Sequence, residues 1–255
     1  GTHQYTRALA VLALTVIVYL LLARQDIKGF SDAYRKAAAQ AAMGKWLEDA
    51  AYHGKEGSPP QQLRDARLLP VKEGNGCVTY HRITGRGAGA AWELCDASFQ
   101  AVSPGSDGRN QFLSGCWLRG KLDRPTGQRL RMVSRNIVTP ALLAPYFLER
   151  TDFRPMVWEN LAVDQEFSSF APAGQLPQLP DGVLDRLLEL TEKTPGSVAL
   201  GLDDDVLTVM LCHRFVTTGD PIVRDPVTRE RLEQQALPEL EQVLALAAAC
   251  QGVEG

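Results

Sequence analysis

The densest chemistry in the chain lies in "RGKLDRPTGQRLRMVSR". Here Arg119, Lys121, Arg124, Arg129, Arg131 and Arg135 are opposed only by Asp123. Guanidinium and ammonium groups at this density suit carboxylates, phosphates and anionic headgroups. If 119–122 and 129–132 pair as strands across the "DRPTGQ" turn, alternation puts Arg119 and Lys121 together on one face. It does the same for Arg129 and Arg131. Like charges crowded across a ladder cost stability. The cluster is therefore expected to meet an anionic partner, with a solvated basic hairpin as the competing reading.

The remaining reactive residue types form weaker constellations. Cys212-His213 is the nearest approach to a thiol–imidazole pair, but neighbours on a strand point to opposite faces and cannot act as nucleophile and base. Asp203, Asp204 and Asp205 lack the alternating ligand positions and the turn glycine of a calcium loop, so they read as a solvated hairpin turn. "TGRGAGA", residues 84–90, has neither the Lys-Ser/Thr of a P-loop nor the dinucleotide spacing, and reads as a mobile hairpin loop. His53 and His81 stand apart from Cys or acid at ligand spacing. The five cysteines, Cys77, Cys95, Cys116, Cys212 and Cys250, are odd in number and widely spaced. Buried reduced thiols are expected rather than a disulfide framework or a zinc site. No catalytic, cofactor or metal set follows from these spacings.

The elements that must carry these residues can be read from periodicity. A helix is expected over 31–53, with Phe30, Tyr34, Ala38, Ala41 and Leu47 near one face, and a short one from Ser58-Pro59 to Leu68. After Pro70 the segments 77–83, 90–102 and 111–122 read as strands of a half-buried antiparallel sheet, Trp92, Leu94 and Cys77 alternating with polar neighbours. Further strands are expected near 129–133, 156–160 and 165–171. Residues 181–193 read as a helix with Val183, Leu184, Leu187, Leu188 and Leu190 inward. "SVALGLDDDVLTVMLCH" reads as a hairpin turning at Asp203–Asp205. A helix over 227–250, restarted at Pro238, presents Leu237, Leu240, Leu244 and Ala247. Groups of strands and helices in this order predict an α+β domain.

Ahead of it stands "ALAVLALTVIVYLLLA", residues 8–23, which is uncharged and apolar on every side. As a helix it rises about 24 Å, slightly less than a hydrocarbon core, and Arg7 and Arg24 can snorkel to the interfaces. A membrane span is favoured over a signal peptide, because Leu21 suits the −3 cleavage position poorly, and over a buried helix. Arg24, Lys28, Arg35 and Lys36 follow the segment while only Arg7 precedes it, which orients residues 24–255 to the cytoplasm. An earlier span would not change that side. Residues 1–150 hold 20 Lys and Arg against 12 Asp and Glu, whereas residues 151–255 hold 7 against 18. The basic half is thus expected toward the membrane and the acidic half away from it.

The order of pieces resembles a bacterial family of membrane-anchored proteins, domain of unknown function 3137. The similarity rests on "FSDAYRKAAAQAAMGKWLEDAAYHGKEGSPPQQLRDARLLP", "WELCDASFQAV", "SGCWLRGKLDRPTG" and "VWENLAVDQEFSSFAPAG…PDGVLDRLLELTEKTPGSVALGLDDDVLTVML". The sequence departs from the family at "APAGQLPQLPDG", where the family has a longer acidic segment. The resemblance implies a cytoplasm-facing domain on an anchor and brings no activity or cofactor with it. The expected layout is an anchor over 1–28, membrane-proximal helices over 29–70 and an α+β domain over 71–255. The expected role is an interaction or scaffold module at the bacterial inner membrane, alone or as a subunit of a larger membrane complex. Its partners would be the bilayer through residues 8–23, a membrane or cytoplasmic-face protein, and anionic lipid, but not nucleic acid. Exposed carboxylates such as Glu159, Asp164 and Glu166 would serve such a surface. The alternative is a hydrolase pairing His81 or His213 with a carboxylate.

Overall fold

A computed structural model describes residues 19, 29–30, 33–34, 36–37, 39–41, 43–54, 56–72, 76–101, 111–138, 140–194, 197–216 and 237–252. The strands are β1 (Glu48–Tyr52), β2 (Cys77–Gly87), β3 (Ala90–Ala101), β4 (Gln111–Leu122), β5 (Arg129–Ser134), β6 (Phe153–Met156), β7 (Phe167–Pro172), β8 (Val198–Asp203) and β9 (Val206–Cys212). The helices are α1 (Pro60–Asp65), α2 (Pro140–Arg150), α3 (Leu161–Glu166), α4 (Val183–Lys193) and α5 (Leu240–Cys250). The strands form one sheet in the order β1-β2-β3-β4-β9-β8-β5-β7-β6, with every pairing antiparallel. The protein is therefore α+β, a mainly antiparallel sheet flanked by helices.

Both faces of the sheet are covered, which corrects the half-buried expectation. Even-numbered positions of β3 and β4 (Trp92, Leu94, Cys116, Leu118) pack with Val183, Leu187 and Leu190 of α4 and Leu240, Val243 and Leu246 of α5. Odd-numbered positions (Cys95, Ala97, Phe99, Leu113, Trp117) pack with Leu63 of α1 and with Leu143 and Phe147 of α2. The alternating pattern of β3 and β4 is thus two apolar faces with small or polar residues mixed in.

The β4–β5 pairing expected across "DRPTGQ" does not form. The hairpin β8–β9 inserts between them, β9 pairing with β4 and β8 with β5. The physical reason lies in the strands themselves. "VALGLD" and "VLTVMLC" are buried along nearly their whole length, and strands apolar on both faces belong at the centre of a covered sheet. The insertion also separates Arg119 from Arg131 by three strand spacings, roughly 14 Å.

Three local readings are also corrected. Residues 48–52 are an edge strand on β2, not the end of a helix, although the described residues from 29 to 43 are helical. The strand expected at 156–160 is β6, at Phe153–Met156. "TGRGAGA" is no loose loop, because β2 and β3 run to a two-residue turn at Ala88-Gly89, both with positive φ, as a tight hairpin requires. The apolar segment 8–23 lies outside the described residues except for Tyr19, which is helical and 70% exposed. No helix among the described residues is long and apolar enough to cross a membrane.

One glycine is set by close approach. A Cβ on Gly115 would lie 2.1 Å from the Leu211 carbonyl oxygen and 2.8 Å from the Cys212 Cα, both backbone atoms of the paired strand. Gly115→Ala is expected to cost about 2 kcal/mol or more, because a ladder rather than a side chain must move. An unchanged urea midpoint would refute that account of β4 and β9.

Candidate functional site

The α1 side of the sheet gathers most of the basic cluster. Register places Glu93, Arg119, Thr208, Gly201 and Arg131 in one row across five strands. Lys121, Val206, Asp203 and Arg129 form the next row. Arg119 and Lys121 share a face, as do Arg129 and Arg131, and the two pairs share the same face through a different sheet order.

Most of these charges are already answered. Arg131 is 2% exposed. Its guanidinium donates to the Asp203 carboxylate and to the carbonyls of Leu130, Leu202 and Ala66. Gly201 leaves room for it, since a Cβ there would sit 3.3 Å from the Arg131 Cδ. Burial pulls the Arg131 pKa down while Asp203 opposes the shift. Arg129 donates to both oxygens of Asp152 at 2.6 and 3.2 Å. Those hydrogen bonds push the Arg129 pKa up and hold the Asp152 carboxyl below its ordinary range. Both guanidinium groups also lie over the Phe153 ring, 5.0 and 4.7 Å from its centroid. Lys121 reaches Asp205 and Arg135 reaches Asp164, each at 3.9 Å.

The aspartate turn is thus the counter-charge of the cluster as well as a hairpin turn. Its middle residue fastens the β4–β5 connection, with the Asp204 carbonyl accepting from Thr126 and its carboxylate from the Gly127 N–H.

Arg119 and Arg124 are different: neither makes an ion pair among the described residues. Arg124 is exposed, and its backbone N–H donates to Gln251. Arg119 is half-buried and lines an open cleft of about 210 Å³ between α1 and the sheet. Gln62 and Asp65 of α1 and its C-cap Ala66 form one wall, with Asp203, Val206 and Thr208 contributed by β8 and β9. Ala66 is held there by Arg131, whose Nε donates to its carbonyl at 3.1 Å. Two buried acceptor atoms in this neighbourhood have no donor among the described residues: Gln62 Oε1 and Glu93 Oε1. Glu93 stands across the ladder from Arg119.

The other sequence candidates are dispersed. His81, at positive φ where the β2 register shifts, has Nδ1 2.7 Å from the Tyr52 hydroxyl; His53 Nε2 lies 2.8 Å from Thr84 Oγ1. Cys212 ends β9 in the core, while His213 is exposed and bonds through its backbone to Ser114. All five cysteines are free and buried. Glu159 is exposed, Asp164 is engaged with Arg135, and Glu166 is half-buried. No group of three or more metal-ligating side chains occurs among the described residues.

Comparison with known proteins found no matching family model, no matching curated protein and no matching solved structure. The family resemblance therefore stands on the quoted residues alone. Any functional reading has to come from the site.

Sequence reasoning found the basic residues but not their partners. Asp152 and Asp203 lie 23 and 72 residues from the arginines they hold. Gln62 and Glu93 carry no signature at all. The one usable signal was the run of three acids, which by charge alone complements a cluster of cations.

Proposed function

We propose that the chain is a membrane-tethered binding module. Residues 8–23 anchor it in the bacterial inner membrane, singly or after an earlier span, and the α+β body lies on the cytoplasmic side. The cleft walled by α1 receives the partner. One observation carries the reading: Arg119 alone among the clustered cations is both half-buried in a cleft and without an ion pair among the described residues. A charge withdrawn from water without a counter-ion is costly unless a ligand supplies one.

The hydrogen-bonded pairing of Arg129 with Asp152 and of Arg131 with Asp203 leaves less free positive charge on this face for headgroups, which favours a defined partner over a diffuse lipid contact. The anchor rests on the uncharged run and the basic residues after it.

The test uses the full chain in cell membranes. It is expected to stay in the pellet after alkaline carbonate washing, and release would remove the anchor. Crosslinking followed by mild-detergent purification is expected to capture partners that the Arg119→Glu variant loses. An identical set of crosslinks from both proteins would remove the cleft as the binding surface.

A further inference from the structure

Resting on the reading of the cleft as a binding site, we infer that it takes a small zwitterion, a molecule of amino-acid size carrying a carboxylate and an ammonium group. The cleft presents both signs. Arg119 offers guanidinium N–H donors that no described residue accepts, and a carboxylate fits that planar fork. On the opposing side, Gln62 Oε1 is buried without a donor, and Asp65 stands at the same wall. Glu93 Oε1, also buried without a donor, is next to Arg119 in the row. Asp203 is already committed to Arg131 and Arg129.

A simple anion would satisfy Arg119 but add a third like charge beside Asp65 and Glu93. A simple cation would satisfy the acceptors and leave Arg119 unanswered. A ligand with both ends answers both. Size agrees: an open cleft of about 210 Å³ admits a molecule of amino-acid size.

The experiment compares three near-isosteric probes, L-alanine, propionate and ethylamine, by saturation-transfer NMR on the full chain in a neutral detergent. L-alanine is expected to bind saturably in the millimolar range, and each single-charge probe about tenfold more weakly, the loss of one charge-assisted interaction. Arg119→Met and Gln62→Leu are each expected to weaken L-alanine by about tenfold. Gln62→Leu removes no charge, so it keeps the test open if the arginine variant fails to fold.

Propionate binding as tightly as L-alanine would overturn the zwitterion while leaving the cleft intact. N-acetyl-L-alanine binding as tightly as L-alanine would do the same, pointing to a chain terminus instead. No saturable binding by any probe would overturn the ligand class. The cleft itself would then be judged by the Arg119→Glu crosslinking, which uses none of these probes.

Discussion

Replacing Arg131 by alanine is expected to remove about 3–5 kcal/mol of stability, the cost of breaking a buried ion pair from one side. Arg131 is 2% exposed, and its guanidinium holds three main-chain carbonyls together with Asp203. Its loss leaves those acceptors without their donor and opens space above Gly201 and Phe153. Arg131→Lys is expected to recover only part of the loss, because one ammonium cannot span Ala66, Leu202 and Asp203 from a single stem. Asp203→Asn is also expected to be costly, because it leaves the buried guanidinium with neutral acceptors and no counter-charge from Asp203. Urea unfolding of the full chain in detergent, followed by tryptophan fluorescence, gives the order directly. A loss below about 1 kcal/mol for Arg131→Ala would mean that the network is ornamental.

The same substitution reaches the candidate site. Arg131 Nε fixes the carbonyl of Ala66, and Ala66 is part of the cleft wall. Stability and ligand affinity should therefore fall together in Arg131→Ala. Arg119→Met should lower affinity with little effect on the urea midpoint. That contrast separates a residue that positions the wall from one that contacts the ligand.

How far the sequence foretold this arrangement depended on the range of the signal. Short-range patterns were readable. β2, β3 and β4, the β8–β9 hairpin, α4 and the end of α5 follow from alternation, helical stripes and turn residues. Pairing order was not readable, because "DRPTGQ" looks like a hairpin turn. Only the nearly continuous apolar run of β8 and β9, some 70 residues later, demands the central position they take. Residues 48–52 show tertiary context overriding propensity. "EDAAY" favours helix, yet β2 offers an open edge and Asp49 takes a positive φ in the bulged pairing. Helices α2 and α3 went unread: α2 contains Pro145, and α3 is six residues held by the Asn160 cap. In the site, residue type announced the arginines. Whether each was paired depended on contacts between distant segments, which no local pattern encodes.

Alkaline pH provides the second large effect. Burial pushes the thiol pKa up to about 11 at Cys95 and about 12 at Cys212 and Cys250. Cys116 is raised as well, with Asp96 and Glu239 adding to its burial. In the unfolded chain these thiols ionise near 9.0. Above that pH the unfolded state gives up protons that the native state keeps, so it binds fewer and stability falls as pH rises. The contribution is intact below pH 9 and is lost toward the native values. At about pH 10 each such thiol favours unfolding by about 1.4 kcal/mol, so Cys95, Cys212 and Cys250 together cost about 4 kcal/mol. Urea midpoints taken from about pH 8 to about pH 10.5 should decline steeply, and Cys212→Ala combined with Cys250→Ala should shallow that slope by about two thirds of the three-thiol share. Ellman's reagent should leave the native protein unmodified near neutral pH and react with all five thiols once it is unfolded, because the nucleophile is the thiolate and none is exposed. A pH-independent midpoint would show that the thiols are not held protonated by the core. Rapid reaction of the native protein would show that they are not enclosed by it.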